Sequence, residues 1–509
     1  MTALVSSRYA RWAAAILLFG TIFRLWYSTH LELVGDEAYY WLWSRHPDFC
    51  YLDKGPVIAW FISAGTALFG QTVFGIRFFA TLLALGTGIG IFFLARRLFS
   101  DRVAFWSVLL AALTPLFAVG ATLMTIDTVY IFFWTLAALT FWYAKDQTRL
   151  GWWLLTGLLV GLSMLSKYTG AIELLSFVGF CAWHPPSRQH FRRLTLPAML
   201  LVVALCLIPV FLWNWQHGFP TSHFLVHRGA LDERMRLRPL EVLSFLGQQA
   251  GVISPFLFLG LLTAVCWPGF APTPRVQTGY LLALFLPLFL IYLLLSFQKA
   301  SQPNWAAAAY VSGLILVAAK WCEAVPIYPW ARWFVFTGLV IAFSETALLH
   351  ETSWLRLPGR LDPLDRARGS RDLAAQVSTL QNRSGARVVI ANKYMTAALL
   401  SFYLPGQPDT FMPVDSPPFN QLVLWPTYRE KHPSDDAIYV SDANRVLPSL
   451  KADFPEISPA VEIHTSQDGR EVNRVYLFVC RRSGPINQSA DSAQTPKKTV
   501  KSAVLKFGS

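Results

Sequence analysis

The chain has 509 residues, 54% of them hydrophobic and only 14% charged, and its formal net charge is +13. Soluble domains are usually about one quarter charged, so this composition excludes an ordinary soluble protein and indicates a membrane protein. The positive charge does not indicate nucleic-acid binding, because much of it lies in short loops between apolar stretches, where it sets membrane topology.

Apolar stretches long enough to cross a bilayer as helices recur from residue 10 to residue 350. Backbone groups find no water in a bilayer, so helices are the economical structure there. The first stretch predicts a retained helix rather than a signal peptide, because it is long and lacks a clear small-residue cleavage site. We predict about eleven spans, near 10–29, 74–96, 103–121, 127–144, 151–165, 170–184, 195–215, 242–268, 279–297, 304–320 and 330–349.

The segment 57–69, VIAWFISAGTALF, is short for a span, and we expect it to lie along the membrane surface. This choice places the basic loops in the cytoplasm, as the positive-inside rule prefers. Their cations are Arg8, Arg11, Arg96, Arg97, Arg102, Lys145, Arg149, Arg188, Arg192, Arg193, Arg275 and Lys320. The predicted outer loops are 30–73, 122–126, 166–169, 216–241 and 298–303. The loop 216–241 is itself basic, which indicates either an anionic ligand or contact with acidic headgroups.

The chain changes character after residue 350, where short β-type runs at 386–394, 437–443 and 474–480 accompany a helical run at 372–381. Residues 351–483 therefore predict a small α/β domain outside the membrane, and the polar tail 484–509 is expected to be disordered. The fold class is an all-α polytopic membrane protein with a small C-terminal α/β soluble domain. Residues 1–350 form the predicted transmembrane domain, with a catalytic outer loop at 30–73. The six cysteines have no zinc-like spacing, and a Cys50–Cys480 bridge is disfavoured.

This topology gathers polar residues at the outer face: Asp36, Glu37, Lys54, Asp127, Lys167, Lys299 and Asn304. Carboxylates can accept a proton or bind a metal, and lysines can hold a phosphate. Aromatic side chains can stack on a sugar, and the loop 30–73 supplies Tyr39, Tyr40, Trp41, Trp43 and Tyr51. The combination favours transfer of a sugar from a lipid phosphate. For any single charge, an interfacial anchor remains the alternative.

Four motifs carry a resemblance: GDEAYYWLWS, YLDKGPVIAWFISAGTALFGQTVFGIR, LMTIDTVYIFFW and GLSMLSKYTG. They occur in the order found in bacterial membrane glycosyltransferases of the C-type fold. The chain resembles the broad family of protein O-mannosyltransferases and lipid A aminoarabinose transferases over about residues 10–320. The segment SFQKASQPNWAAAAY (296–310) is similar to a late outer-face motif of the branch that modifies lipid A or core sugars.

The resemblance implies roles for single residues. Asp36 matches the catalytic base, with Glu37 beside it, and Asp127 is a third acid in the site. Lys54 and Lys167 would bind the donor phosphate, although SKYTG departs from the commoner TKG and weakens the case for Lys167. The remaining substrate-binding candidates are Tyr39, Tyr40, Tyr51, Lys299 and Asn304.

Two alternatives concern the acidic residues of the first outer loop. GDEAYYWLW also predicts a helix that Asp36 caps, a role compatible with catalysis. A divalent metal stays open, but His30 and Glu32 alone are a poor ligand set. The chain has no P-loop and no dinucleotide fingerprint, so no nucleotide cofactor is implied.

The predicted function is an inverting glycosyltransferase that uses a polyprenyl-phosphate sugar at the periplasmic face of a bacterial inner membrane. The acceptor would be lipid A, a core glycan or a protein. The alternative is a transporter or flippase for lipid-linked sugars. Transporters often consist of two related halves with charges near the membrane midplane, and neither feature is seen in this sequence.

Overall fold

The structure, a computed structural model, describes residues 7–228, 238–298, 302–352, 362, 364–415, 420–467 and 470–482. The predicted tail 484–509 lies outside these residues. Contacts divide the chain into two compact units. The first unit comprises Met1–Ser28, Lys54–Phe211 and Val226–Trp354, and the second comprises Thr29–Asp53, Leu212–Leu225 and Leu355–Ser509. The domain boundary at residue 350, predicted from the sequence between a transmembrane domain and an α/β domain, stays a proposal.

Helices make up most of the described residues up to residue 350. In chain order they are α1 Arg8–Tyr27, α2 Gly35–Arg45, α3 Val57–Phe69, α4 Val73–Leu98, α5 Asp101–Leu113, α6 Pro115–Gly120, α7 Ile126–Ala144, α8 Leu150–Ser166, α9 Gly170–Trp183, α10 Thr195–His217, α11 Pro220–Arg228, α12 Pro239–Ile253, α13 Pro255–Cys266, α14 Arg275–Ser296, α15 Ala309–Ile327 and α16 Pro329–His350.

Within the described ranges, six helices are long and apolar enough to cross a membrane: α4, α7, α10, α14, α15 and α16. The bent pair of α12 and α13 makes a seventh if it is one span. Shorter apolar helices are α3, α8 and α9. The chain is therefore a multi-pass membrane protein, and the number of spans, predicted as about eleven, stays a prediction.

Two stretches predicted as spans each consist of two helices in the structure. The stretch 242–268 consists of α12 and α13, which meet at an angle of 112°. Ser254 between them has a left-handed φ of 79°, and Pro255 has no N–H to continue the helical hydrogen bonding. The stretch 103–121 is also divided before a proline, because α5 ends at Leu113 and Pro115 begins α6. Each of these predicted spans therefore consists of two helices, and whether each pair crosses the membrane as one span stays a prediction.

Hydrogen bonds join loops that the charge pattern predicts to share the cytoplasmic end of the first unit. His190 Nε2 donates to Lys145 O at 3.0 Å and so connects the loop after α7 to the loop after α9. Lys320 Nζ donates to Ala271 O at 2.6 Å, which connects α15 to the loop before α14. These paired loops agree with the alternation of basic loops in the sequence.

The C-terminal part of the second unit is an α/β fold. Its elements are α17 Ser370–Ser384, β1 Val388–Ala391, α18 Tyr394–Tyr403, α19 Tyr428–Lys431, β2 Ala437–Ser441, α20 Pro448–Asp453, β3 Glu456–Ile457, β4 Val461–Gln467 and β5 Arg470–Arg481. The sheet order is β1-β2-β5-β3, and β4 also pairs with β5. The predicted helix at 372–381 and the three predicted strands are confirmed as α17, β1, β2 and β5. The sequence prediction missed α18, β3 and β4.

The sheet combines one parallel pair with antiparallel pairs. Strands β1 and β2 run parallel, and β5 is antiparallel to β2, β3 and β4. One face buries Val388, Ile390, Tyr439 and Phe478 against side chains of α19 and α20, including Tyr428. Such alternating apolar side chains give the small domain its own core.

Candidate functional site

In the first unit, Asp127 is the centre of a polar cluster at helix ends. Asp127 lies in the first turn of α7, and Lys167 immediately follows α8. Lys167 Nζ lies 2.7 Å from Asp127 Oδ1, and Asn304 Nδ2 donates to Asp127 Oδ2 at 2.6 Å. The side chains of the ion pair are only 10% and 14% exposed. The structure therefore brings together three of the residues that the sequence predicted for the site.

The turn SKYTG presents Lys167 by ending one helix and starting the next. Lys167 has an extended backbone, with φ −152° and ψ 125°. Its carbonyl accepts a hydrogen bond from Gly170 N at 2.9 Å. A Cβ on Gly170 would come within 2.7 Å of Met164 N, so only glycine fits this tight turn. Gly170 thus allows the tight turn that places Lys167 at the end of α8.

Asn304 is held by two buried polar residues that the sequence analysis missed. It belongs to a short 3-10 helix, Pro303–Ala306. Gln249 Nε2 donates to Pro303 O at 3.3 Å, and Tyr310 Oη donates to Gln249 Oε1 at 2.6 Å. A glutamine inside an apolar stretch was the signal for this support. Lys299, the other candidate in this motif, lies outside the described residues.

Lys54 lies in a segment that packs tightly against the end of α8. The side chain is half-buried. A Cβ on the next residue, Gly55, would lie 2.0 Å from Leu165 O. Since Leu165 is two residues before Lys167, the backbone segments that carry the two predicted phosphate-binding lysines are in direct contact.

In the second unit, the helix α2 carries Asp36 and Glu37 in its first turn. The N-cap residue is Val34, and its N–H donates to Glu37 Oε2 at 3.1 Å. Glu37 is fully buried, whereas Asp36 is half-buried. The alternative interpretation of Asp36 as the N-cap was therefore wrong: the helix begins two residues earlier than the motif indicated, and Glu37 provides the capping carboxylate.

The predicted sugar-stacking tyrosines lie inside the second unit. Tyr39, Tyr40 and Tyr51 are 2%, 6% and 0% exposed. Tyr51 stacks on Trp43 at 4.3 Å between ring centroids, and its hydroxyl donates to Trp43 O at 2.9 Å. Burial raises the pKa of Tyr39 and of Tyr51. These contacts give the rings a role in stiffening the loop, and sugar binding by them stays a prediction.

Glu32, considered with His30 as a metal ligand, instead contacts the start of α17. Its Oε2 accepts hydrogen bonds from Ser370 N at 2.6 Å and from Arg371 N at 3.3 Å. Burial raises the pKa of this carboxyl, although both N–H groups oppose the shift. In the part of the chain that the structure describes, no group of three or more His, Cys, Asp or Glu side chains could hold a metal ion.

Solved structures define the class of this fold. ArnT from Cupriavidus metallidurans bound to undecaprenyl phosphate aligns with a TM-score of 0.64 and 18% identity, over 92% of this chain and 98% of that one. An oligosaccharyltransferase from Archaeoglobus fulgidus aligns with a TM-score of 0.52 and 11% identity, over 84% of this chain and 68% of that one. The predicted C-type fold of membrane glycosyltransferases is confirmed.

Sequence relatives narrow the class. A model of the family "dolichyl-phosphate-mannose-protein mannosyltransferase" matches residues 53–213. Lipid A galacturonosyltransferase RgtD from Rhizobium johnstonii is 27% identical over 380 residues, which are 72% of this chain and 76% of RgtD. An undecaprenyl phosphate-alpha-4-amino-4-deoxy-L-arabinose arabinosyl transferase from Pseudomonas aeruginosa is 26% identical over 304 residues. The match covers 54% of this chain and about half, 52%, of that relative. The predicted resemblance is confirmed: the chain is similar in sequence to membrane glycosyltransferases.

The close approach of Gly55 to α8 gives a testable prediction. We expect Gly55→Ala to lower the melting temperature of the purified protein, because backbone at 2.0 Å from the new Cβ cannot move aside cheaply. The matched control is Gly151→Ala in α8, where nothing lies within 4 Å of the added Cβ. Equal melting temperatures for the two variants would contradict the tight packing of the Lys54 segment.

Proposed function

We propose that this protein transfers a sugar from a polyprenyl-phosphate carrier to an envelope glycolipid of the lipid A or core type. The support comes from relatives whose names describe sugar transfer to lipid A and use of an undecaprenyl-phosphate donor. The observation that carries the proposal is the partly buried Lys167–Asp127–Asn304 cluster at the ends of membrane helices. In this proposal the Lys167 ammonium group at the end of α8 binds a lipid phosphate whose chain lies in the membrane.

The proposed reaction is a single displacement with inversion at the anomeric carbon. The acceptor hydroxyl loses its proton to Asp36 and attacks that carbon, and the bond to the lipid phosphate breaks. The phosphate leaves with its negative charge, so cationic stabilisation matters more than protonation by an acid. Lys54 and Lys167 supply that charge in this proposal, and Asp127 orients Lys167 and Asn304.

A transporter or flippase for lipid-linked sugars remains the alternative function. Sugar transfer and flipping can be distinguished by their products, because only sugar transfer releases free polyprenyl phosphate. Purified protein incubated with a polyprenyl-phosphate sugar and the acceptor glycolipid therefore tests the proposal. Release of polyprenyl phosphate that depends on the acceptor supports transfer, and movement of intact donor across the membrane without release supports the flippase.

Amide substitutions of the neighbouring acids Asp36 and Glu37 distinguish the proposed catalytic base from the residue that caps α2. We expect Asp36→Asn to lower kcat by about 10²- to 10⁴-fold, because an amide cannot accept the proton. Glu37→Gln keeps an oxygen that can accept from Val34 N, so this control should retain most activity. The measurement is steady-state turnover of protein checked for folding and donor binding. The reverse order of the two effects would make Glu37 the base.

Lys54→Ala should weaken donor binding more than stability. The lysine would make a charge-assisted contact with the donor phosphate worth about 1.5–3 kcal/mol, which corresponds to roughly 10- to 150-fold in affinity. A control is Lys451→Ala, an exposed lysine of α20. Donor titration of both variants checks the prediction, and unchanged donor affinity in folded Lys54→Ala protein would remove Lys54 from the site.

We also propose that the protein resides in a bacterial inner membrane and that its catalytic loop and C-terminal domain face the periplasm. Support comes from the alternation of cationic loops. A reporter enzyme that is active only in the periplasm, fused after Ser509, should be active, and a cytoplasm-specific reporter at the same position should be inactive. The opposite pattern would mean that the number of spans differs from the prediction by an odd number.

A further inference from the structure

The loop of residues 29–53, which carries Asp36, packs against the C-terminal α/β domain within the second unit. On the N-terminal side of α2, Glu32 accepts from Ser370 N, and Leu33 N donates to Tyr403 Oη at 2.7 Å. On the C-terminal side, Arg45 Nη1 donates to Gln407 O at 2.9 Å. The domain therefore holds this loop on both sides of the proposed base.

The helix itself lies directly on the domain. A Cβ on Gly35, the residue before Asp36, would lie 2.5 Å from Met395 Cβ of α18. Nearly two turns further along α2, the ring of Trp41 meets Phe402 edge to face at 5.0 Å between centroids. An isolated helix of 11 residues is marginal in water, so α2 needs this tertiary support to keep a fixed position.

Gln421 contacts the loop at two separate points. Its backbone N–H donates to Tyr39 Oη at 2.6 Å, and its side-chain Oε1 accepts from Leu52 N at 2.7 Å. The residue is 2% exposed and begins a short 3-10 helix after Asn420, whose side chain accepts from Leu422 N. One buried residue thus ties α2 to the segment that ends two residues before Lys54.

We propose that Gln421 is a positioning residue for sugar transfer and that the C-terminal domain is the template on which the catalytic loop is ordered. This inference rests on the proposed function and assigns the C-terminal domain a role in the reaction. Tyr39 is three residues after Asp36, so both lie on the same face of α2. The hydrogen bond from Gln421 to Tyr39 therefore fixes the rotation of α2 about its axis and its position along that axis. These in turn fix the direction of the Asp36 carboxylate.

Gln421→Leu removes the acceptor of Leu52 N while keeping the side-chain size. We expect kcat to fall about 10- to 100-fold, because a small displacement of a catalytic group has an effect of this size. The KM for the donor should stay within about threefold, because the packing of Gly55 on Leu165 holds the Lys54 segment independently. Gln421→Glu keeps an acceptor oxygen and should restore most of the lost turnover.

The matched control is Gln376→Leu, which removes a side-chain hydrogen bond to His464 O elsewhere in the same domain. A second test removes the other contact: Tyr39→Phe deletes the acceptor of Gln421 N and preserves the ring. We expect it to lower kcat in the same way, so that the proposal stays testable if Gln421→Leu does not fold.

Hydrogen–deuterium exchange of the full-length protein in detergent gives a readout that does not depend on activity. Gln421→Leu should speed amide exchange in peptides covering residues 35–53, and Gln376→Leu should leave these peptides unchanged. If wild-type protein transfers no sugar, the proposed function fails, while the exchange result still tests the template. Wild-type turnover together with unchanged loop exchange in folded Gln421→Leu protein would overturn the role of Gln421.

Discussion

The carboxylate of Asp127 holds together three segments that are distant in sequence, because one oxygen contacts Lys167 and the other contacts Asn304. The helix dipoles favour this arrangement: the acid lies at the N-terminus of α7, and the lysine lies at the C-terminus of α8. Removing one partner of a mostly buried pair leaves a poorly solvated charge, which typically costs about 3–5 kcal/mol. We therefore expect loss of one partner to destabilise the first unit, and the pair is also a candidate for phosphate recognition.

The proposed catalytic acid depends on a different kind of support. Asp36 belongs to a short helix whose start is capped by Glu37 and whose aromatic side chains are buried. The polar and aromatic character of this loop is explained by its packing: tyrosine hydroxyls and tryptophan rings fill the interior of the second unit.

Much of the fold could be predicted from the sequence because local patterns determine local structure. The length of an apolar stretch predicts a membrane helix, and a short β-type run predicts a strand. The breaks within the stretches 103–121 and 242–268 could not be read from hydropathy, because hydropathy does not register a proline that ends a helix. Asp127, Lys167 and Asn304 could be placed at one end of the helices from topology. Their contacts could not, since these depend on packing between segments far apart in the chain.

The cap of α2 and the contacts of Gln421 could not be predicted either, because they too depend on how distant segments pack. The motif GDEAYYWLW predicts a helix, but the choice of Glu37 over Asp36 as the cap depends on where the backbone enters that helix. The role of Gln421 had no sequence signal, because one glutamine among irregular segments is ordinary until its partners at Tyr39 and Leu52 are seen.

The most direct test of sugar transfer is mass spectrometry of envelope glycolipids from cells that lack the gene, complemented with wild-type protein or with Asp127→Asn. The expected result is loss of one sugar mass from one glycolipid in the deletion strain, with accumulation of the polyprenyl-phosphate sugar. The wild-type gene should restore that mass, and Asp127→Asn should not. Identical glycolipid profiles with and without the gene would contradict a role in sugar transfer to envelope lipids.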